Sequence, residues 1–127
     1  MAAPDAQRTP ARPPTDLRAA APLWPLRGRR AAVVVCRDAP EPFEAIREHL
    51  GRLGAELVVE RRPGPLSRLV GRPAVVVCDR YLDVIEAGRD LSPERVREAL
   101  EWSGARCEEC PQSAEELPGL AAAWQGA

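Results

Sequence analysis

The 127-residue sequence has no lysine and no long apolar run. Its 18 basic residues are all arginines, and they are interspersed with 19 acidic residues, so the formal net charge is −1. This balance lacks the basic block by which proteins attract nucleic acid, and we expect no nucleic-acid partner. No segment approaches the roughly eighteen apolar residues of a membrane span, and the N-terminus lacks the apolar core of a signal peptide. The sequence therefore predicts a cytoplasmic protein without membrane insertion.

Several motifs that carry chemistry are also missing. There is no Gly-rich loop that would cradle a phosphate and no nucleophile elbow that would present a catalytic serine. Cysteine is scarce, and of the four only Cys107 and Cys110 are close in sequence. This is not the pattern of a disulfide-dense secreted scaffold, so we expect the cysteines to be thiols in a reducing compartment.

The composition divides the chain into three parts. The first is rich in proline, alanine and arginine and holds too little apolar surface to offset the entropy of ordering it. Near its end, Leu23, Trp24 and Leu26 form an apolar cluster that we expect to pack against the body. The remaining length suits one domain. The predicted parts are a Pro-rich flexible arm over residues 1–25, a domain over residues 26–110 and a C-terminal tail over residues 111–127.

The first half of the domain has a strand, helix, strand pattern. Residues 31–36 are apolar and β-branched, which predicts a central strand. A helix is predicted next, with Pro42 in its first turn and Gly54 at its end. Residues 55–60 are the second strand. This order predicts a right-handed parallel crossover.

The second half begins with residues 66–70, which can form about one turn of helix, and continues with a hairpin. Pro73 heads an apolar strand, a position that proline tolerates, and a second strand is predicted over residues 81–85. Asp79 and Asp83 flank the turn, where such side chains commonly bond to the backbone. The last helix is predicted to be capped by Ser92, to end near Gly104 and to bury Val96, Ala99, Leu100 and Trp102.

This order of elements resembles the thioredoxin fold, and the chain is similar to bacterial redoxin-like proteins, a group that includes thioredoxins and peroxiredoxins. The segments that carry the resemblance are Leu26-Arg27-Gly28-Arg29-Arg30, Val77-Cys78-Asp79-Arg80-Tyr81, and Glu101-Trp102 shortly before Cys107-Glu108-Glu109-Cys110. It implies an α/β domain with a mixed four-stranded sheet and a β-α-β-β-β-α core. It also implies that Pro73 is the cis-proline of the family, which normally faces the reactive disulfide.

The sequence departs from the family where catalysis would begin. Thioredoxins carry paired cysteines, and peroxiredoxins a peroxidatic cysteine, just after the first strand, but residues 37–50 contain no cysteine. Neither reaction can start without a sulfur nucleophile. Cys36 is expected to be a small buried hydrophobe. Its distance from Cys78 along the hairpin is about 17 Å, too long for a disulfide.

We therefore expect a catalytically degenerate thioredoxin-fold protein that acts as a protein-binding or assembly module rather than an enzyme. The predicted binding residues are Pro73, Asp38, Pro40 and Trp24. No cofactor is expected in this interpretation, and the predicted partner is a protein.

Two alternatives involve the late cysteine pair. Cys107 and Cys110 have the spacing of a redox disulfide, which would make the chain a noncanonical thiol-disulfide oxidoreductase. The same pair could bind zinc with His49, the only histidine. Glu48 or Glu108 would then be the fourth ligand.

Overall fold

Five of the six residues of the first strand, β1 (Ala31–Cys36), are completely buried, as their apolar and β-branched side chains predict. The computed structural model describes residues 12–105 and places β1 inside a four-stranded mixed sheet. The other elements are a 3₁₀ helix (Ala21–Leu26), α1 (Glu41–Glu44), α2 (Arg47–Arg52), β2 (Ala55–Glu60), α3 (Pro65–Val70), β3 (Ala74–Cys78), β4 (Val84–Gly88) and α4 (Pro93–Ala105). None of the helices between residues 12 and 105 combines the length and the apolar composition of a membrane span.

The sheet has the strand order β2-β1-β3-β4. β1 pairs in parallel with β2, and Cys36 lies opposite Glu60 at the end of both strands. β1 pairs antiparallel with β3, so that Cys36 also lies beside Ala74 at the start of β3. β4 completes the sheet antiparallel to β3. The predicted mixed four-stranded α/β sheet is therefore confirmed.

Alternate residues of the strands divide the core into two layers. On one face of the sheet, Val33 and Val35 pack in a cluster with Phe43 of α1, Leu50 of α2 and Val96 of α4. The residues between them face the other layer, which contains α3 and the 3₁₀ helix. Its buried members include Leu17, Leu23, Val34, Leu66 and Val70. The side chains of β1 and β3 are buried on both faces of the sheet, so the fold needs a covering layer on each side.

The prediction of one helix after β1 is wrong in one respect, because the segment forms two short helices. The break lies at Ile46, whose backbone has φ −108° and ψ 12°. The N–H of Ile46 bonds to the carbonyl of Phe43, three residues back, over 3.1 Å. A hydrogen bond to the residue three positions back, as in a 3₁₀ helix, tightens the turn. The α-helical pattern therefore stops here and begins again at Arg47.

Part of the segment predicted as a Pro-rich flexible arm, residues 1–25, packs against the body. Leu17 and Leu23 have no exposed surface, and Leu17 N–H bonds to Leu82 O over 2.8 Å. Asp16 forms a β-bridge with Asp83. The proline-rich composition concealed this packing because only a few apolar residues are needed to cover the open sheet face. Residues 1–11 and 106–127, which include the predicted tail, lie outside the described residues.

The hairpin turn is longer than predicted, and β4 begins at Val84 instead of Tyr81. The carboxylate of Asp79 accepts hydrogen bonds from the backbone N–H groups of Tyr81, over 2.8 Å, and Asp83, over 3.1 Å. Leu82 adopts a positive φ of 67°. The predicted role of Asp79 as a local backbone acceptor is confirmed, and its bonds hold residues 79–83 out of the strand.

The last helix starts as predicted but buries fewer residues. Ser92 Oγ accepts a hydrogen bond from the N–H of Arg95 over 3.1 Å, which is the N-cap arrangement. Val96 and Leu100 are buried. Trp102 is 45% exposed, so its prediction as a core residue is wrong. It lies two positions beyond Leu100, which turns it away from the buried side of the helix.

Candidate functional site

A cleft lies at the sheet edge where the parallel strands β1 and β2 end. The loop after β1 leads to α1 on one face of the sheet, and the loop after β2 leads to α3 on the other face. Two loops that diverge in this way leave a crevice at the carboxyl ends of parallel strands, which is a common ligand position in α/β sheets. The crevice has a volume of about 580 Å³. It is lined by Arg37, Asp38, Ala39, Pro63, Arg72 and Pro73.

Three loops surround the cleft, namely the β1–α1, β2–α3 and α3–β3 loops, and the last two each contribute a proline. Pro63 belongs to the β2–α3 loop, and Pro73 directly precedes β3. Both are exposed, and their rings fix the local φ angle. The Arg72–Pro73 peptide bond is cis, as the resemblance implied for Pro73.

Arg72 connects all three loops around the cleft. Its Nη2 donates to the carboxylate of Asp38 in the β1–α1 loop and to the carbonyl oxygen of Arg61 in the β2–α3 loop, the second over 2.6 Å. The side chain of Arg72 is only 12% exposed, whereas that of Asp38 is 92% exposed. The guanidinium is therefore a fixed part of the cleft wall, and the carboxylate lies at the rim.

The neighbouring arginines have different surroundings. Arg61 bonds through its guanidinium to Glu41 over 3.2 Å and to Glu44 over 2.8 Å, which ties the β2–α3 loop to α1. Arg37 makes no hydrogen bond or ion pair with any residue in the described part of the chain. Among residues 12–105, the cleft therefore contains one paired guanidinium and one without a hydrogen-bond or ion-pair partner.

Cys36 ends β1 next to the cleft, but its side chain has no exposed surface. Burial, and to a smaller extent the nearby Glu60 charge, raises the pKa of its thiol from 9.0 to about 12. Ser67 and Arg72 act in the opposite direction without offsetting the burial. Cys36 is thus a protonated core residue, as predicted.

Cys78 is also free and fully buried, and burial raises the pKa of its thiol well above the ordinary range. It lies opposite Ala32, at the other end of the β1–β3 pairing from Cys36. The prediction that these two cysteines form no disulfide is confirmed.

The lining residues define what this cleft can do chemically. None of the six has a thiol, hydroxyl or imidazole group, and the one carboxylate among them, that of Asp38, is paired with Arg72. Two guanidinium groups can donate to an anion, one carboxylate can accept, and proline and alanine offer apolar contact. This set of groups can hold a ligand through charge, hydrogen bonds and apolar contact.

The structure brings together two of the four predicted binding residues. Asp38 and Pro73 both line the cleft. Pro40 is buried, and its carbonyl accepts from the N–H groups of Phe43, over 2.9 Å, and Glu44, over 3.0 Å. Pro40 thus lies at the start of α1 and is not among the residues that line the cleft.

Trp24, the fourth predicted binding residue, is exposed but belongs to a different region. Its Nε1 donates to the carbonyl of Arg18 over 2.8 Å, and the Arg18 guanidinium bonds to Asp83 over 2.6 Å. This links Trp24 to the β3–β4 turn, at the opposite end of β3 from Pro73. Trp24 therefore does not line the cleft with Asp38 and Pro73.

The alternative site at Cys107 and Cys110 lies outside the described residues. His49 is on α2, and its Nε2 is buried without a hydrogen-bond partner among residues 12–105. Over the same residues, no group of three or more His, Cys, Asp or Glu side chains is arranged to hold a metal ion.

Sequence reasoning missed the two arginines of the cleft, Arg37 and Arg72. Arg37 directly follows β1, and Arg72 directly precedes Pro73. The usable signal was that both loops meet at one sheet edge once the strands pair.

Comparison of the chain with protein-family models, curated proteins and solved structures gives no match.

Proposed function

We propose that this chain is a catalytically inactive, thioredoxin-like binding module whose cleft beside Pro73 holds a segment of a protein partner. The observation that carries the proposal is the composition of the cleft. It retains charged and apolar contact groups around an exposed proline, and its described lining has no thiol, hydroxyl or imidazole group.

The topology supports the thioredoxin-like part of the proposal. The strand order β2-β1-β3-β4, with β1 parallel to β2 and antiparallel to β3, is compatible with the mixed four-stranded sheet that the sequence resemblance implied. Helices α1, α2 and α4 share one face, and α3 lies on the other. The resemblance concerns the fold, and the function is argued from the cleft itself.

The shape of the cleft favours a chain segment over an enclosed small molecule. Sites for small ligands usually bury most of the ligand surface. Here Asp38, Ala39, Pro63 and Pro73 are all exposed, so the cleft opens broadly at the surface. A segment lying across it could contact all three loops and remain connected to the rest of its protein at both ends.

The state of the buried thiols supports binding without thiol chemistry. Thiolate is the reactive form of cysteine, and a thiol with a pKa of about 12 is almost entirely protonated at neutral pH. Cys36, the described cysteine nearest the cleft, is thus neither exposed nor ionised.

A peptide selection on the full chain tests the proposal. A library of random twelve-residue peptides is displayed on phage and selected on the immobilised chain under reducing conditions, and the enriched peptides are titrated into ¹⁵N-labelled protein. We expect amide shifts at Arg37, Asp38, Ala39 and Arg72, with no comparable shifts at Trp24 or Tyr81. Enriched peptides that shift the β3–β4 turn and leave the cleft unchanged would refute the proposed site.

A bulky side chain in the cleft provides the matched test by mutation. Ala39→Trp introduces an indole at an exposed lining position, and Ala21→Trp does the same at an exposed position of the 3₁₀ helix. We expect Ala39→Trp to weaken peptide binding at least tenfold and Ala21→Trp to change it less than twofold. Equal effects of the two substitutions would contradict binding in the cleft.

A further inference from the structure

We propose that the cleft selects a partner segment that carries a carboxylate, and that this carboxylate binds Arg37 while competing with Asp38 for Arg72. This inference rests on the proposed function and specifies the chemistry of the partner. The structural basis is the different state of the two guanidinium groups that line the cleft.

Arg37 supplies the first half of the site. It lines the cleft and is partly buried, yet it has no hydrogen-bond or ion-pair partner within residues 12–105. Its guanidinium carries five N–H donors and remains charged at physiological pH. An anionic ligand in the cleft would satisfy donors that the described part of the chain leaves to solvent.

Arg72 supplies the second half of the site, and its guanidinium is already oriented. Its side chain is 12% exposed, and the carbonyl of Arg61 accepts from its Nη2 over 2.6 Å. These contacts fix the guanidinium in the cleft wall before any ligand arrives. A donor held in place loses little side-chain entropy on binding.

Asp38 is the replaceable member of its ion pair with Arg72. Its side chain is 92% exposed, and within residues 12–105 the pair with Arg72 is the one ion pair or hydrogen bond that its carboxylate makes. Ion pairs with such an exposed partner contribute little to stability, so a ligand carboxylate can take the same position at modest cost. Asp38 would thus balance the charge of Arg72 when no ligand is bound, and it would release Arg72 when a ligand carboxylate binds.

The charge balance favours a carboxylate over a phosphate. Arg37 and Arg72 give the lining two positive charges and Asp38 gives one negative charge, which leaves an excess of one positive charge. Arg61, behind the cleft, is already paired with Glu41 and Glu44. Asp38 lines the cleft and stays beside it after it yields Arg72, so its charge still opposes an anionic ligand. A carboxylate carries one negative charge and matches the excess of one, whereas a phosphomonoester carries nearly two and is repelled more strongly.

Four synthetic heptapeptide pools test the inference on the full chain. Each pool has one fixed central residue, glutamate, glutamine, lysine or phosphoserine, and mixed residues elsewhere. Binding is followed by fluorescence anisotropy and by the side-chain Nε–Hε signals of Arg37 and Arg72. We expect the glutamate pool to bind at least fivefold more tightly than the glutamine and lysine pools, with shifts of both arginine signals. Raising the salt concentration should reduce this preference.

Three variants connect the preference to the named residues. Arg37→Gln should reduce the preference for glutamate over glutamine to less than twofold. Asp38→Asn should strengthen binding of the glutamate pool several-fold, because the competing carboxylate is removed. Arg62→Gln, an exposed arginine on the β2–α3 loop outside the lining, is the matched control and should leave the preference unchanged.

The outcomes separate this inference from the function on which it rests. Glutamate and glutamine pools that bind the cleft equally would overturn carboxylate selection and leave the binding module intact. A phosphoserine pool that binds most tightly would overturn it in favour of a phosphorylated partner. If no pool shifts the cleft residues, both the inference and the proposed function fail.

Discussion

The carboxylate of Glu60, at the end of β2, accepts the backbone N–H of Ser67 in the first turn of α3 over 2.7 Å. It also accepts the Ser67 hydroxyl and, over 3.1 Å, the N–H of Leu66. A helix start needs acceptors for its first N–H groups, and no side chain at the N-cap position, Gly64, can supply one. Glu60 therefore caps α3 from a different element and fixes the loop that forms one wall of the cleft.

Removing this cap should destabilise the domain. Glu60→Ala leaves the buried donors of Ser67 without their acceptor, and we expect a loss of about 1–3 kcal/mol in the free energy of unfolding. Glu60→Gln retains one acceptor oxygen and should lose less. Urea denaturation measures both. Glu56→Ala, an exposed position on the same strand, is the control and should cost less than about 0.5 kcal/mol. Similar losses at the two positions would contradict the capping role.

Gly64 should be required because of the same carboxylate. A Cβ atom at this position would lie 2.6 Å from Glu60 Oε2 and 2.9 Å from its Cδ, so Gly64→Ala must displace the cap. We expect Gly64→Ala to destabilise the wild-type chain and to have a much smaller effect in the Glu60→Ala background, as measured by a double-mutant cycle. Gly104→Ala, with open space around the new Cβ, should be neutral or slightly stabilising. Additive effects of Gly64→Ala and Glu60→Ala would show that the two residues are not coupled.

These contacts illustrate which parts of the fold can be predicted from the sequence. Runs such as Ala31–Cys36 predict buried strands because six adjacent apolar residues leave few alternatives. The cap from Glu60 to Ser67 could not be predicted in this way, since it joins residues seven positions apart across a turn. The packing of Leu17 was missed for a related reason. Its position depends on a hydrogen bond to Leu82, far along the chain.

The candidate site was predictable in part. Pro73 and Asp38 were identified because each follows from the pattern of strand ends, and both line the cleft. The importance of Arg72 depends on its simultaneous bonds to Asp38 and to the Arg61 carbonyl, which are known only when the three loops are in place. Burial of Pro40 likewise follows from how α1 packs, and its sequence neighbourhood does not reveal it.

Leu17 should contribute to the stability of the domain although it lies in a proline-rich segment. It is completely buried in the layer that contains α3, so Leu17→Ala should cost about 2–4 kcal/mol in thermal or urea unfolding. Trp24→Phe serves as the comparison, since it removes only an exposed hydrogen bond to the Arg18 carbonyl and should cost less than about 1 kcal/mol. A Leu17→Ala variant as stable as wild type would contradict the packing of this segment.

The raised pKa of Cys36 should make stability depend on alkaline pH. The folded state holds the thiol proton more tightly than the unfolded state, because the pKa is about 12 in the fold against 9.0 ordinarily. The contribution is therefore complete below pH 9 and is lost as the pH rises toward 12. We expect wild-type stability to fall more steeply than that of Cys36→Ala above pH 9, by up to about 1.4 kcal/mol per pH unit. Urea denaturation in reductant from pH 8 to pH 10.5 makes the comparison, and parallel profiles would contradict the burial of this thiol.

The most direct test of a binding cleft that works without thiol chemistry is the affinity of a selected peptide for a chain in which both late cysteines are replaced. The account predicts that the Cys107→Ser, Cys110→Ser double variant binds within twofold of wild type, with or without reductant, and that neither protein reduces insulin disulfides. Loss of peptide binding in the double variant, or disulfide reduction by wild type that the variant lacks, would contradict it.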